Sequence, residues 1–258
     1  VKKTHEKPKT VKITSSNSSN DFSHVTTINV DYSVVVAGED SFVFLPTNEN
    51  DIITIRKIHS FAQSMPVIGI KMKTGIVVDF RQWDYLRDKP GEHVVPLFYS
   101  QHIRNGRVHH QPSGKEKDWI VDNNLGLVQK NRNSVFCKRF TAKEEKRRLQ
   151  CGIYLSSDFP NYHLIGTHNK INFVDSVDGS DLSVQTVYGI YALLNSSLFD
   201  NYYRILNGST QVNSTEINSI PVPPISEINQ IGELLLKTED LSTSNCDKIV
   251  GVFYEQNS

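Results

Sequence analysis

Six cationic side chains crowd into the twelve residues "CKRFTAKEEKRR", positions 137–148. Lys138, Arg139, Lys143, Lys146, Arg147 and Arg148 stand there against Glu144 and Glu145, a local charge of +4. The whole chain carries 28 Lys plus Arg and 28 Asp plus Glu, so its formal net charge is zero and no overall field draws it to a polyanion. A concentration of this kind suits a phosphate backbone, because each phosphate neutralised by Lys or Arg releases condensed counterions. On a helix the same residues would pair Glu144 with Arg148 and set Lys143 beside Arg147, the pattern of a solvated basic face. Both readings stand at this point.

Two polar clusters accompany it. In "YSQHIRNGRVHHQ", Gln101, His102, Arg104, Asn105, Arg107, His109 and His110 alternate with few apolar residues. In "RILNGSTQVN", a helix end and a Gly turn lead to Thr210, Gln211 and Asn213. Arg, Gln and Asn are the side chains that read guanine or adenine through paired hydrogen bonds in the major groove. "GTHNKIN" supplies Lys170 and a His168 with no second histidine near it in sequence, a structural or phosphate-touching histidine rather than a metal ligand. "GIVVDFRQWDYL", residues 75–86, reads as a strand core, Ile76 to Val78, started by a turn at Gly75. Its switch to Asp79, Arg81 and Gln82, with Trp83 and Tyr85, would carry the chain toward DNA. The alternative is that Asp79 and Arg81 pair across a turn while Trp83 plugs a domain edge.

Signatures of catalysis are missing from the sequence: no GxGxxG, Walker A, HExxH, GxSxG or Cys/His cluster occurs. Cys137, Cys151 and Cys246 are too scattered for a CxxC site and odd in number, which fits a reducing, cytoplasmic setting. No metal ligands and no catalytic residues are expected.

The elements that must position these residues follow from composition and period. With 38% hydrophobic and 22% charged residues and a mean hydropathy of −0.38, the chain can bury one or two cores. Its apolar runs, such as "SVVVAG" and "GELLL", fall far short of the roughly 20 residues that span a bilayer. No signal peptide and no membrane partner are expected. Residues 1–24 are basic, then Ser- and Asn-rich, and read as a flexible tail or linker. Residues 25–66 hold β-branched runs around Gly38, a hairpin-like pattern, and then a helix with Ile52, Ile55, Ile58 and Phe61 at three-residue steps. From Val67 to about Val174 short apolar runs alternate with polar loops, as strands do. Residues 182–206 keep helical spacing as one helix, or two broken near Asn195. "STEINS" predicts a short helix capped by Ser214 or Thr215, and "IPVPP" an extended exit. The last helix would start at Ser226 and carry Ile228, Ile231, Leu234, Leu235 and Leu241 on a side that needs a partner.

Four stretches carry a resemblance: "TGIVVDFR", "VVPLFYSQHIRNGRV", "SVFCKRFTAKEEKRRLQCGIY" and "YALLNSSLFDNYYRILNGSTQVNSTEINSIPVPP". In this order, across residues 67–224, they resemble the C-terminal half of adenine-specific DNA methyltransferases of bacterial restriction-modification systems. That half is the target-recognition domain of such enzymes. The last stretch also resembles the end of recognition domains in specificity subunits of multi-subunit restriction systems. The resemblance implies an α+β fold: a mixed, mostly antiparallel β-rich recognition domain followed by packed helices. It divides the chain into a tail at 1–24, the trailing edge of a catalytic domain or a connector at 25–66, the recognition domain at 67–224 and a C-terminal helix and tail at 225–258. It implies S-adenosylmethionine as the cofactor of a longer parent enzyme. Here the Gly-rich loop and the Asn/Asp-Pro-Pro-Tyr/Phe motif of such enzymes are missing, and "IPVPP" lacks the amide and aromatic to replace the latter. This chain alone is therefore expected to bind no cofactor and to be inactive. The implied partners are double-stranded DNA and an N-terminal catalytic domain. The expected DNA contacts are Arg81, Gln82, Gln101, His102, Arg104, Arg107, Lys138, Arg139, Lys143, Arg147, Arg148, Lys170, Gln211 and Asn213. The alternatives are a protein-docking module, using the helices at 182–206 and 226–241, or a specificity subunit of a multi-subunit restriction system.

Overall fold

A computed structural model describes residues 8–18, 21–37, 41–111, 117–122 and 126–255. Alternation along its first segment builds an antiparallel ribbon, β1 (Thr10–Ser18) on β2 (Asp21–Asp31). The expected flexible tail is thereby corrected for residues 10–18 and 21–24; residues 1–7, 19 and 20 lie outside the described residues. The register pairs Val11 with Val30 and Ile13 with Ile28, so the few apolar residues share one face. Val30 is buried, and Val11, Ile13 and Ile28 pack against the main core. After one helical turn, α1 (Tyr32–Val35), β3 (Val36–Ala37) pairs with β4 (Phe42–Val43). The hairpin expected around Gly38 is this two-residue pairing alone, because the Val25–Val30 run pairs back on β1; Gly38 itself lies outside the described residues. Asn48 caps α2 (Glu49–Ile58) by accepting the Asp51 N–H at 3.0 Å, and Ile52, Ile55 and Ile58 are buried as their spacing predicts. Phe61 falls beyond the helix, ahead of β5 (Gln63–Ser64).

Two sheets occupy the middle of the chain. In sequence order their strands are β6 (Ile70–Thr74), β7 (Leu86–Arg87), β8 (Val94–Phe98), β9 (Ile103–Arg104), β10 (Arg107–Val108) and β11 (Trp119–Val121), then β12 (Val128–Lys130), β13 (Ser134–Lys138), β14 (Cys151–Tyr154), β15 (Leu164–Thr167) and β16 (Ile171–Ser176). One sheet has the order β6-β16-β13-β14-β10-β9 and the other β12-β15-β8-β11-β7. Pairing is antiparallel except for β10 with β14 and β8 with β15. An aromatic stack fills part of the interior: Tyr154 lies between Phe136 and Phe159, at 4.9 and 5.2 Å and within 5° of parallel to both. The predicted "IVVDF" strand is reduced to one bridge, Val77 with His168, followed by 3-10 turns at Asp79–Arg81 and Trp83–Tyr85. Gly75 also has a different reason from the one expected. A Cβ there would lie 2.1 Å from the His168 carbonyl oxygen, so close approach of two backbones, not a turn, excludes a side chain.

The remaining helices are α3 (Val184–Asn195), α4 (Ser197–Leu206), α5 (Ser214–Ser219), α6 (Ile225–Thr238) and α7 (Thr243–Glu255), with β17 (Pro221–Val222) between α5 and α6. The predicted break near Asn195 falls at Ser196, which ends α3 and caps α4. Asn213, not Ser214 or Thr215, caps α5, and α6 begins after Pro224 with no side-chain cap from Ser226. Buried on nearly all sides, α3 packs between β13–β14 and α6. Gly189 and Gly232 allow this contact, since a Cβ on either would meet a carbonyl oxygen of the opposite helix at 1.9 Å. Ile228, Ile231 and Leu235 thus find their partner within the chain. α7, in the expected C-terminal tail, buries Cys246, Val250 and Tyr254. One apolar cluster runs from Val30 to Tyr254. The result is the expected α+β arrangement of mostly antiparallel sheets followed by packed helices. No helix among the described residues is long and apolar enough to cross a membrane.

Candidate nucleic-acid interface

The basic segment after β13 is not helical; residues 141–150 form turns. Its shape follows from a buried carboxylate. Asp200 Oδ1 accepts the N–H groups of Arg148 and Leu149, both at 2.8 Å, and Oδ2 accepts Arg204 Nε at 3.0 Å. Arg204 in turn donates to the Lys143 and Glu145 carbonyls. Arg148 is 1% exposed: it donates to the Ser209 carbonyl (2.6 Å) and to Thr141 Oγ1 (3.2 Å), and its guanidinium carbon lies 5.8 Å from the Tyr203 ring centre. Arg147 donates to the Leu194 and Ser196 carbonyls at the end of α3 (3.1 and 3.3 Å). The expected phosphate contacts at Arg147 and Arg148 are therefore corrected, as is the Glu144–Arg148 pair. Both guanidinium groups are spent on internal acceptors. Glu145 stays exposed but bonds within the segment, accepting the Ala142 N–H (2.7 Å) and the Gln150 amide, contacts that hold its carboxyl below the usual range. Lys143 and Lys146 stay exposed, and Lys138 is half-buried at the end of β13.

Three loops meet just beyond that strand. Arg139 N–H donates to the Lys170 carbonyl (2.9 Å), Thr141 N–H to Thr210 (3.1 Å) and Val212 N–H to Arg139 (2.6 Å), while Phe140 bridges Gln211. On the far side of the 168–170 turn, Asn169 N–H donates to the Val77 carbonyl (2.8 Å), which brings in residues 76–82. Arg139, Lys143, Lys170, Gln211 and Arg81 are thus collected from separate parts of the sequence. Arg139 Nη1 donates to the Asn169 carbonyl at 3.0 Å. The Gln211 amide, oriented to satisfy both groups, accepts Arg139 Nε and Nη2 at 2.9 and 2.6 Å. Its oxygen is occupied, so the side chain offers only its NH2 group to a ligand. Gln82 and Asn213 do local work: Gln82 Oε1 accepts the Val78 N–H, and Asn213 Oδ1 the Thr215 N–H.

Aromatic rings stand out of this surface. Phe80 is 75% and Phe140 52% exposed, with the Arg81 and Arg139 guanidinium carbons 5.5 and 5.6 Å from their ring centres. Trp83 is 58% exposed, so it does not plug a domain edge as the alternative reading had it, and Lys117 Nζ lies 4.0 Å from its ring centre. Sequence reasoning missed both phenylalanines, although each sits next to an arginine where the apolar alternation stops.

Below the surface His168 is fully buried. Its Nδ1 accepts the Lys170 N–H (3.3 Å) and its Nε2 faces Asp79 at 3.8 Å, so the structural role is the one it has. Burial lowers its pKa to about 4 against the opposing pull of Asp79. The 101–110 cluster lies at the β9–β10 edge, away from the three loops. His102, 1% exposed, accepts the Tyr99 N–H through Nδ1 and faces Asp118 at 3.4 Å through Nε2; it contacts no solvent, which corrects its expected place among the DNA contacts. Burial, then the neighbouring His110, pulls its pKa down to about 4. Arg107 donates to the Tyr188 hydroxyl at 2.8 Å. Exposed Arg104 donates to the carbonyl of half-buried Gln101 at 2.8 Å. Arg107, Arg147, Glu239 and Asp240 all line a cleft of about 610 Å³. Among the described residues no group of His, Cys, Asp or Glu could hold a metal ion.

The loops that carry Arg139, Lys143, Lys170 and Gln211 meet at one sheet end of an α+β chain, a candidate nucleic-acid interface, and the sequence relatives show the family. It is 33% identical over 221 residues, 84% of its length, to the type II methyltransferase M.BsuBI of Bacillus subtilis. It is also 33% identical over 228 residues, 86% of its length, to the type II methyltransferase M.PstI of Providencia stuartii. The chain is a homologue of part of these type II methyltransferases, and the matches span 43% and 44% of their lengths. The resemblance to methyltransferases of restriction-modification systems therefore holds. No family model matches the chain. One solved structure, from work on complex assembly and conformational transition of a type I R-M system, aligns over 81% of this chain and 48% of its own. Its TM-score of 0.39 at 7% identity is too low to bear on the fold.

Proposed function

We propose that this chain recognises the DNA target of an adenine-specific type II methyltransferase, whose remaining part binds S-adenosylmethionine and transfers the methyl group. The observation that carries the reading is that backbone bonds tie together the loops bearing Arg139, Lys143, Lys170, Gln211 and Arg81, with Arg139 bonded to Gln211, in a homologue of type II methyltransferases. Lys143, Lys170 and Arg81 hold phosphates, which fixes register without reading sequence. Arg139 is the positioning residue for Gln211, whose NH2 group donates to an acceptor on a base edge, such as purine N7, guanine O6 or thymine O4. With its oxygen occupied, Gln211 cannot read adenine through two bonds. The docking alternative drew on the α6 stripe; α3 packs on α6, and Ile228, Ile231 and Leu235 of the stripe are buried while Leu234 stays 39% exposed.

Fluorescence anisotropy against duplex DNA across a salt series tests this. The wild-type chain should show log K falling linearly with log salt, and Lys143→Ala with Lys170→Ala should reduce the slope by about 0.9 per lost phosphate contact. Once the preferred site is selected from a random pool, Gln211→Glu should cost about 1–3 kcal/mol at that site and nothing measurable at random sequence. A salt-independent signal, or a Gln211→Glu variant with unchanged preference, would refute the assignment.

A further inference from the structure

We propose that Phe80 and Phe140 are base-stacking residues, so that this surface grips DNA at an opened base step rather than on an undisturbed duplex. The inference rests on the DNA reading above and adds the state of the DNA. Phe44, Phe98, Phe136 and Phe199 are all at most 1% exposed, whereas Phe80 and Phe140 present most or half of their surface to solvent, as Phe22 does on the N-terminal ribbon, and of these three Phe80 and Phe140 stand beside guanidinium groups. Both are held there by backbone bonding. Phe140 lies in the bridged segment, with Arg139 N–H on Lys170, Thr141 N–H on Thr210 and Val212 N–H on Arg139. Phe80 sits in the 3-10 turn that Asp79 Oδ1 and Gln82 Oε1 cap by accepting the Phe80 and Val78 N–H groups. Rings pre-placed in this way lose little conformational freedom on binding.

Their surroundings select the partner. Each ring lies beside a guanidinium, and the two flank one turn: Asn169 N–H bonds Val77 on the Phe80 side, and the Asn169 carbonyl accepts Arg139 Nη1 on the Phe140 side. The Lys170 side chain, on that turn, is exposed. An apolar protein surface would have to desolvate these cations without compensation, whereas a nucleic acid offers a phosphate for each cation and a base face for each ring. An intact B-form duplex exposes base edges but not base faces, so a ring that stacks requires a step already open or one that it opens.

The test uses the purified chain and three duplexes of one sequence: fully paired, with one abasic position, and with 2-aminopurine at the corresponding base. The wild-type chain is expected to bind the abasic duplex about tenfold more tightly than the paired one, and to raise 2-aminopurine fluorescence as the base unstacks. Phe80→Ala and Phe140→Ala should each reduce the preference and together abolish both signals, with the salt slope unchanged and thermal unfolding unaltered. Phe140→Trp should restore its share. Salt-dependent binding with no abasic preference, or alanine variants that behave as wild type, would overturn the stacking proposal while leaving DNA recognition intact; the rings would then face another part of a longer protein. Failure of the wild-type chain to bind any duplex at low salt would overturn both.

Discussion

Replacing Asp200 by alanine should unfasten the basic segment from the helices, and its cost can be worked from the contacts. Two buried backbone N–H groups, of Arg148 and Leu149, would lose their acceptor. A buried donor left without a partner costs about 1–3 kcal/mol. Arg204 would also lose its 3.0 Å carboxylate contact and Arg147 its 3.8 Å one, at a site where the carboxylate is only 3% exposed. Together these give about 4 kcal/mol, a large share of the roughly 5–15 kcal/mol that holds a domain folded. Asp200→Asn separates the contributions. Its oxygen can still accept both N–H groups, but its NH2 would face Arg204, donor against donor, so the cost should fall to about 2 kcal/mol. Urea unfolding followed by circular dichroism at neutral pH measures both values. Trypsin should also cut faster at Lys143 and Lys146 in the alanine variant, because Arg204 would no longer be oriented to bind the Lys143 and Glu145 carbonyls. An Asp200→Ala chain within 1 kcal/mol of wild type, or an Asn variant as unstable as the Ala variant, would refute the view that this carboxylate shapes the segment.

Two further perturbations have signs that follow from the geometry. His102 has a folded pKa of about 4 against an ordinary 6.5, so between these values the unfolded chain takes up a proton that the folded chain refuses. Stability should be complete above about pH 6.5 and fall as the pH drops toward 4, by up to about 3 kcal/mol from this residue; His168 acts in the same direction. His102→Asn keeps an acceptor for the Tyr99 N–H and should flatten the decline, and an unchanged pH profile in that variant would remove His102 as its cause. In the helices, Gly189→Ala places a Cβ 1.9 Å from the Ile228 carbonyl oxygen and should destabilise by at least the 1–3 kcal/mol typical of overpacking. Gly251→Ala, with nothing within 4 Å, should be neutral or stabilise by up to about 1 kcal/mol. Thermal melts of the two variants check the contrast, which fails if both shift alike.

Period and punctuation made much of the fold legible: the Ile52–Ile55–Ile58 spacing, the break at Ser196 and the strand-rich centre all follow from local patterns. The N-terminal ribbon did not, because composition averaged over the segment hides that Val11, Ile13, Ile28 and Val30 fall on one face once paired. The site was legible in its cations and opaque in their geometry. Formal charge counts Arg147 and Arg148 equally with Lys143. Whether a guanidinium reaches solvent depends on acceptors distant in sequence, here Leu194, Ser196 and Ser209, which no local pattern announces. Phe140 follows Lys138 and Arg139, where the apolar run of β13 stops, but that its ring faces solvent is decided by the loop it pairs with at Gln211.

This division bears on how such a surface can change its target. On the DNA reading proposed above, the exposed Lys143 and Lys170 are the phosphate contacts, and each can be exchanged singly. Gln211 is different. Its amide oxygen takes two donors of Arg139, and the Arg139 backbone is tied to Lys170 and Val212. Replacing Gln211 by a residue without an acceptor would strand two guanidinium donors on a half-buried surface, a cost that solvent only partly offsets. If this surface reads DNA as proposed, its reading unit is the pair Arg139–Gln211, assembled by folding from two loops far apart in sequence. A new specificity at this position has to satisfy Arg139 before it can satisfy a base.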